Sequence, residues 1–321
     1  MGQPIVFMFS GQGSQYFQMG RELYENNSRF HLWMNHCSQI VEDLIGESLI
    51  DIIYYRNGKG DPFERILYSN PALLSIEYCL ARILIEKKIE PDYLLGYSMG
   101  EMTAAVVSES LTLEEGLTLA VDVAKILEEG SPAGAMLAII ENENIVYRYP
   151  DAFRCCAVSG RNFDNHFVVS GLLDDVIALQ SFLEAKNVLT HKLAVNHGFH
   201  SSVLESVSEK CKALCGSLDL RSPKYPIYSC VESAIIKEYS VEHFWRVIRE
   251  PVDFVETISQ IEKRGSHIYI DVGPSGTLST FIYYLLGQDS FSKRFEAMNQ
   301  FGKDIQLLTY LESKQRPTLI K

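Results

Sequence analysis

An apolar run that breaks into Gly-x-Ser-x-Gly and then into a helix-forming stretch leaves a chain few ways to fold. Leu94-Leu95-Gly96-Tyr97-Ser98-Met99-Gly100-Glu101 has that form. It is the pattern of a nucleophile elbow, a sharp strand-to-helix turn that exposes a serine hydroxyl. Gly96 and Gly100 flank a strained backbone, and a side chain at either place would crowd the turn. The helix beyond aims its free N–H groups at the serine, where negative charge develops during acyl transfer. The pattern predicts a strand over 93–95, a helix over 99–108 and Ser98 as nucleophile.

The rest of the chain supplies a frame for such an elbow. Residues 5–9 are a short apolar run that reads as a buried strand, followed by the Gly-rich loop Ser10-Gly11-Gln12-Gly13-Ser14. Helical patterns cover 30–53, 72–87 and 113–129. Strands alternating with helices predict a parallel α/β sheet. The pattern breaks at Gly130-Ser131-Pro132-Ala133-Gly134. Beyond it come a strand over 136–140, a short polar helical piece, strands over 154–159 and 166–170, a helix over 174–186 and a strand over 188–193. That βαββαβ order is the ferredoxin-like arrangement. The expected organisation is a large α/β domain over 1–130 and 197–321, with a small ferredoxin-like domain over 131–196 inserted into it. A helix over 201–214 and strands over 226–229 and 268–271 return to the large domain. The polar tail from Lys314 to Lys321 is expected to fray.

Composition narrows the partners. At 321 residues and 46% hydrophobic, the chain can bury a large core. A net charge of −12 without a basic run argues against nucleic acid. Overall charge would not steer an acidic carrier here either; only a local basic patch could help. The seven cysteines are scattered without zinc spacing, so neither a metal nor a cofactor is expected. No signal peptide and no run of membrane-spanning length is visible, so the expected compartment is the reduced cytoplasm, with no membrane partner.

A serine needs a base to be nucleophilic at neutral pH. Of the eight histidines, His200 in Asn196-His197-Gly198-Phe199-His200-Ser201 lies downstream of the serine, as in α/β hydrolases. His197 is a rival base, and His200 could instead be a helix-start residue bonded to backbone. No acidic third member stands out, so the residues support a dyad. Gly11-Gln12-Gly13 can supply a second oxyanion donor, since a backbone N–H beside a flexible glycine can approach a ligand closely. A plain strand-to-helix turn has the same composition.

These segments together resemble the malonyl-transacylase-like acyltransferases of fatty acid and polyketide synthesis. Phe9-Ser10-Gly11-Gln12-Gly13-Ser14-Gln15 matches their opening FxGQGSQ, Gly96 to Glu101 matches GHSxGE, and Gly134-Ala135-Met136 matches the GAM that leads into the small domain. Gly198-Phe199-His200-Ser201 matches FHS, and Asp271-Val272-Gly273-Pro274 the late xxGP, all in family order over nearly the whole chain. The resemblance implies an α/β-hydrolase-like large domain with a ferredoxin-like insert. It implies Ser98 as the acylated nucleophile, His200 as its base, and the N–H groups of Gln12 and Met99 as the oxyanion hole. It also implies that a main-chain carbonyl orients the histidine, here expected before Gly273.

Departures from the family pattern bear on substrate. Malonyl transferases carry an arginine that pairs with the substrate carboxylate; the matching position is Val123, and Leu119 to Gly130 holds no arginine. Lys125 is two residues on, which turns its side chain roughly 200° away on a helix. Burying a malonyl carboxylate without a cation would cost several kcal/mol. Tyr97 replaces the family's histidine before the serine, and His166 replaces a small-domain glutamine, whereas Asn162 fits. Tyr97, Val123, Phe199, Asn162 and His166 are the expected acyl-pocket and specificity residues. Tyr97 and Val123 together resemble the acyl hydrolases of trans-acyltransferase polyketide pathways, which clear acyl groups from stalled carriers. The expected function is hydrolysis of acyl thioesters from acyl carrier protein through acyl-Ser98. The partner would be a carrier bearing an acyl-phosphopantetheine thioester, with acyl-CoA as a further donor. The alternative is transfer of a neutral acyl group, or malonyl, between CoA and carrier.

Overall fold

The computed structural model describes residues 2–240 and 242–314. Among them are the strands β1 (Ile5–Phe9), β2 (Tyr93–Gly96), β3 (Gly134–Ile140), β4 (Cys156–Phe163), β5 (His166–Leu172), β6 (Leu189–Lys192), β7 (Ile227–Ser229), β8 (Ala234–Ile236), β9 (Val252–Asp253), β10 (Ile268–Asp271) and β11 (Lys293–Glu296). They form two sheets, ordered β11-β10-β1-β2-β7-β8 and β6-β3-β5-β4-β9.

The first sheet is parallel except for β8, which runs antiparallel to β7. β1 is buried along its whole length, the mark of a parallel strand covered on both faces. Its residues alternate between two cores. Phe7 and Phe9 face the helices Ser28–Ile45, Ile66–Glu86 and Leu113–Gly130. Val6 and Met8 face Phe254–Glu262 and Thr277–Leu286. The register pairs Phe9 with Gly96. The Gly-rich loop after β1 and the turn after β2 therefore leave the sheet side by side, at the carboxyl edge where such sheets place ligands.

The second sheet has the strand order and the β3, helices, β4, β5, helix, β6 sequence of a ferredoxin-like fold. Ala135, Leu137, Ile139, Phe167 and Val169 face its own helices. Met136, Ala138 and Val168 face the large domain. The fold class is the expected one: an α/β-hydrolase-like large domain with an inserted ferredoxin-like small domain. Three strands were not foreseen: β8, β9 and β11. β9, only Val252–Asp253, comes from far beyond the insert and pairs in parallel with β4 through Gly160↔Val252 and Arg161↔Asp253. It stitches the small sheet to the chain segment just after residue 250.

Several element boundaries differ from the sequence reading. The helix expected over 30–53 is two, Ser28–Ile45 and Leu49–Tyr54, because Gly46 takes the left-handed conformation that ends helices. The helix expected from 72 starts at Ile66 and carries Pro71 inside it. The stretch over 201–214 is a 3₁₀ segment, Ser202–Val207, followed by the helix Ser208–Gly216. The helices Arg21–Asn26, His243–Arg249, Phe254–Glu262, Thr277–Leu286 and Asp304–Lys314 went unread; none is longer than 11 residues. From residue 315 the expected frayed tail lies outside the described residues. No helix among them is long and apolar enough to cross a membrane.

Candidate active site

Ser98 sits between β2 and the helix Gly100–Val107 with φ at 54°, in the left-handed region that few side chains adopt. The strain is enforced by close packing on either side. A Cβ on Gly96 would lie 2.4 Å from the Glu101 backbone, and one on Gly100 would lie 2.1 Å from the Phe9 carbonyl oxygen. The Tyr97 N–H donates to that same carbonyl at 2.9 Å, which locks the turn to β1.

His200 also has a left-handed φ, 59°, and its N–H donates to the Ile248 carbonyl at 3.0 Å. Its Nε2 is 2.8 Å from Ser98 Oγ, and its Nδ1 is 2.8 Å from the Glu250 carbonyl oxygen. A carbonyl can only accept, so Nδ1 carries the hydrogen and Nε2 offers its lone pair to the serine. Burial pushes the imidazole pKa down to about 4, against the opposing pull of the Glu250 hydrogen bond. The ring is therefore neutral near pH 7 and free to take a proton. His197, the rival base, hydrogen-bonds Ser131 Oγ at 2.8 Å and lines a separate surface cavity beside Pro132 and Glu128.

The orienting carbonyl is Glu250, not one before Gly273 as expected. The helix His243–Arg249 ends there, and Glu250 is extended at φ −89°, ψ 153°, the conformation imposed on a residue that precedes proline, here Pro251. That turns its carbonyl out of the helix toward His200. Arg246 grips the Glu250 side chain with Nε and Nη2, each 3.0 Å from a carboxylate oxygen. The same helix is tied to the elbow through a buried pair, His243 Nε2 and Glu101 Oε2 at 3.0 Å. Glu101 Oε1 also accepts from Ser229 Oγ and from the Cys230 N–H. Glu101 closes the elbow motif in the sequence, yet its structural role is to bracket the mount of the histidine. Nothing in the sequence reading singled out His243, Arg246 or Glu250.

The Gly-rich loop comes within van der Waals reach of the elbow. A Cβ on Gly11 would lie 2.9 Å from Ser98 Cβ, so only glycine allows the approach. The backbone N–H groups of Gln12 and Met99 donate to no protein acceptor among the described residues. The loop is held from behind by the helix Ile66–Glu86. The Ser10 N–H and hydroxyl both donate to Glu77 Oε1, at 2.7 and 2.8 Å, and Thr103 Oγ1 donates to Glu77 Oε2 at 2.9 Å. Burial raises the Glu77 pKa to about 8 despite these bonds. Seven residues earlier on the same helix face, Asn70 Oδ1 accepts from the Gln12 side-chain amide, which also donates to Ser69 Oγ at 3.0 Å. Nothing in the sequence reading singled out Glu77 or Asn70.

A narrow cavity opens at Ser98, His200, Gln12 and Met99. Its walls are apolar: Met102, Val123, Met136, Phe199, Val247 and Ile248 among others, with no lysine, arginine or carboxylate. Val123 is buried on the wall. Lys125 points elsewhere, with Nζ 3.3 Å from the Leu44 carbonyl and 3.7 Å from Asp122. Tyr97 lines both this cavity and a second, wider outer one. Its hydroxyl donates to Asn162 Oδ1 at 2.7 Å, and Asn162 Nδ2 lies 3.0 Å from His166 Nδ1. Asn162 and His166, expected in the acyl pocket, line the outer cavity instead, with Gly11, Gln12 and Phe281.

Residues 6–306 match the acyl transferase domain family. The chain is 34% identical over 318 residues to the polyketide biosynthesis acyltransferase homolog PksD of Bacillus subtilis, covering 99% of this chain and 98% of the relative. It is equally 34% identical over 313 residues to the homolog BaeD of Bacillus velezensis, covering 97% of each. Among solved structures, a loading acyltransferase of the avermectin modular polyketide synthase superposes with a TM-score of 0.87 at 22% identity, over 97% of this chain and 99% of that one; this likeness is one of fold. MCAT from Streptococcus pneumoniae superposes with a TM-score of 0.80 at 26% identity, again over 97% and 99%.

Proposed function

We infer function from one premise: this chain belongs to the acyl transferase domain family, and is an enzyme of acyl groups. Within that family we read it as a serine hydrolase of acyl thioesters carried on acyl carrier protein in polyketide biosynthesis. Its likeness to the polyketide biosynthesis acyltransferase homologs PksD and BaeD supports the polyketide setting. The observation that carries the acyl preference is the cavity beyond Ser98, which is apolar and holds Val123 where a cation would be needed for a carboxylate.

In the reaction, Ser98 Oγ attacks the thioester carbon as its proton passes to His200 Nε2. The Gln12 and Met99 N–H groups stabilise the oxyanion. Collapse breaks the C–S bond, and His200 returns the proton to the leaving sulfur of the pantetheine arm. A water then enters from the outer cavity, gives its proton to His200 and attacks the acyl-serine. The second collapse breaks the bond from the acyl carbon to Ser98 Oγ, His200 returns its proton to that oxygen, and the acid is released. The Glu250 carbonyl holds the imidazole in one tautomer throughout. The apolar wall favours neutral acyl groups, because a buried carboxylate without a partner is costly.

The test is incubation with acetyl- and malonyl-loaded carrier in the presence of unloaded carrier, followed by intact mass. Loss of acetyl with free acid appearing supports hydrolysis; acetyl moving to the unloaded carrier favours transfer instead. Faster loss of malonyl would contradict the apolar-pocket reading. Val123→Arg sharpens the result. A guanidinium on that wall should pair bidentately with malonyl and crowd out longer neutral chains, so the two rates should move in opposite directions. A fall in both would report packing damage of about 1–3 kcal/mol rather than a change of substrate.

A further inference from the structure

We propose that Ser159 binds an oxygen on carbon 3 of the acyl chain, so that the substrates are 3-hydroxyacyl or 3-oxoacyl thioesters rather than plain alkyl ones. This rests on the acyl-Ser98 reading and names its substrate class.

Beyond the catalytic groups and Tyr97, the side chains that bring polar atoms to the inner cavity are Asn70 and Ser159. Asn70 is already engaged: Oδ1 accepts from Gln12, and Nδ2 donates to the Ala120 carbonyl at 3.3 Å. Ser159 is different. It is 1% exposed, it lines the cavity, and its Oγ has no hydrogen-bond partner. Buried hydroxyls in folded proteins are nearly always satisfied, so an orphan facing a ligand cavity points to a ligand.

The backbone gives an independent reason. β4 and β5 pair Val158↔Val169 and then Gly160↔Val168, which leaves Ser159 as the extra residue of a β-bulge. Bulges bend a strand and re-aim a side chain, and they cluster beside active sites. The next residue, Gly160, lets the strand close on the elbow: a Cβ there would sit 3.3 Å from the Tyr97 hydroxyl. Ser159 is thereby held in the wall of the inner cavity, next to the residue that abuts the Tyr97 hydroxyl. A hydroxyl both donates and accepts, so it suits a carbonyl or an alcohol equally. An alanine would fill the same space and spare the fold an unsatisfied group, so the hydroxyl is not there for stability.

Ser170 is the natural control. It is also buried with an unpartnered Oγ, on the neighbouring strand, but it does not line the cavity. The experiment loads one carrier protein with butyryl, 3-hydroxybutyryl or 3-oxobutyryl groups. It measures the rate of Ser98 acylation by intact mass, in the full chain and in Ser159→Ala and Ser170→Ala. The unaltered protein should favour the oxygenated chains by about tenfold. Ser159→Ala should lose that preference while melting at the same temperature or higher, and Ser170→Ala should keep it. A preference that survives in Ser159→Ala, or that is absent from the unaltered protein, overturns the proposal. If no thioester acylates Ser98, the acyl-enzyme reading itself fails and takes this inference with it.

Discussion

Ser98 and His200 are mounted in opposite ways, although both sit at left-handed φ values of 54° and 59°. The serine is held by its own neighbours. Gly96 and Gly100 permit contacts that no side chain would survive: Gly96 lies against the Glu101 backbone, and Gly100 against the Phe9 carbonyl at the end of β1. The histidine is held by groups far off in sequence: the carbonyls of Ile248 and Glu250, the Arg246–Glu250 pair, and the buried His243–Glu101 contact that reaches back to the elbow. The first mount is steric and all-or-none. The second is a series of hydrogen bonds, each of which can weaken without the rest failing. The elbow should therefore break abruptly and the histidine mount by degrees.

The largest effects should come from the two reacting groups. Ser98→Ala and His200→Ala should each lower acyl turnover on the order of 10⁵-fold or more, with circular dichroism unchanged. His197→Ala should stay near the parent rate; a deeper loss there would move the base to His197. Next is the elbow itself. Gly100→Ala drives a methyl into a backbone carbonyl and should cost about 3 kcal/mol or more, read as a large fall in Tm or as failure to fold. Normal stability would show that the elbow yields, and the contrast between the mounts would collapse.

Glu101→Gln tests the other side. It keeps the shape but weakens the grip on His243, and a slightly displaced imidazole should lower kcat by roughly 10–100-fold with KM little changed. Loss as deep as that of His200→Ala would make the histidine mount as brittle as the elbow. The smallest effect is one of pH. An imidazolium cannot accept the serine proton, so activity falls only where His200 becomes charged. Burial lowers its pKa to about 4, so the acid limb of kcat/KM should lie near pH 4 rather than near the ordinary 6.5. A limb near 6.5 would mean that the ring is solvated and its mount looser than the geometry indicates.

The same contrast explains what could be read in advance. The elbow was legible because its requirement is steric and local: glycine at two places, a small nucleophile between, apolar residues before. The ferredoxin-like insert was legible because four strands and their helices follow one another without interruption. The Glu250 carbonyl was not, because every residue carries a carbonyl and only its direction makes it functional. Glu77 and Asn70 were hidden in an apolar helix whose pattern says core. Asn162 and His166 were assigned to the acyl pocket from their places in the small domain; the Tyr97 ring, reaching across to Asn162, puts them in the outer cavity.

By itself, the sequence determined the fold class, the turn that exposes Ser98 and the absence of an arginine on the stretch Leu119 to Gly130, since each follows from residue types within one short segment. The tertiary structure alone decided which carbonyl fixes the tautomer of His200 and which hydroxyl is left without a partner in the cavity. Those outcomes depend on directions and distances between segments far apart in the chain, and residue identity does not specify a direction in space until the sheet register and helix packing have set it.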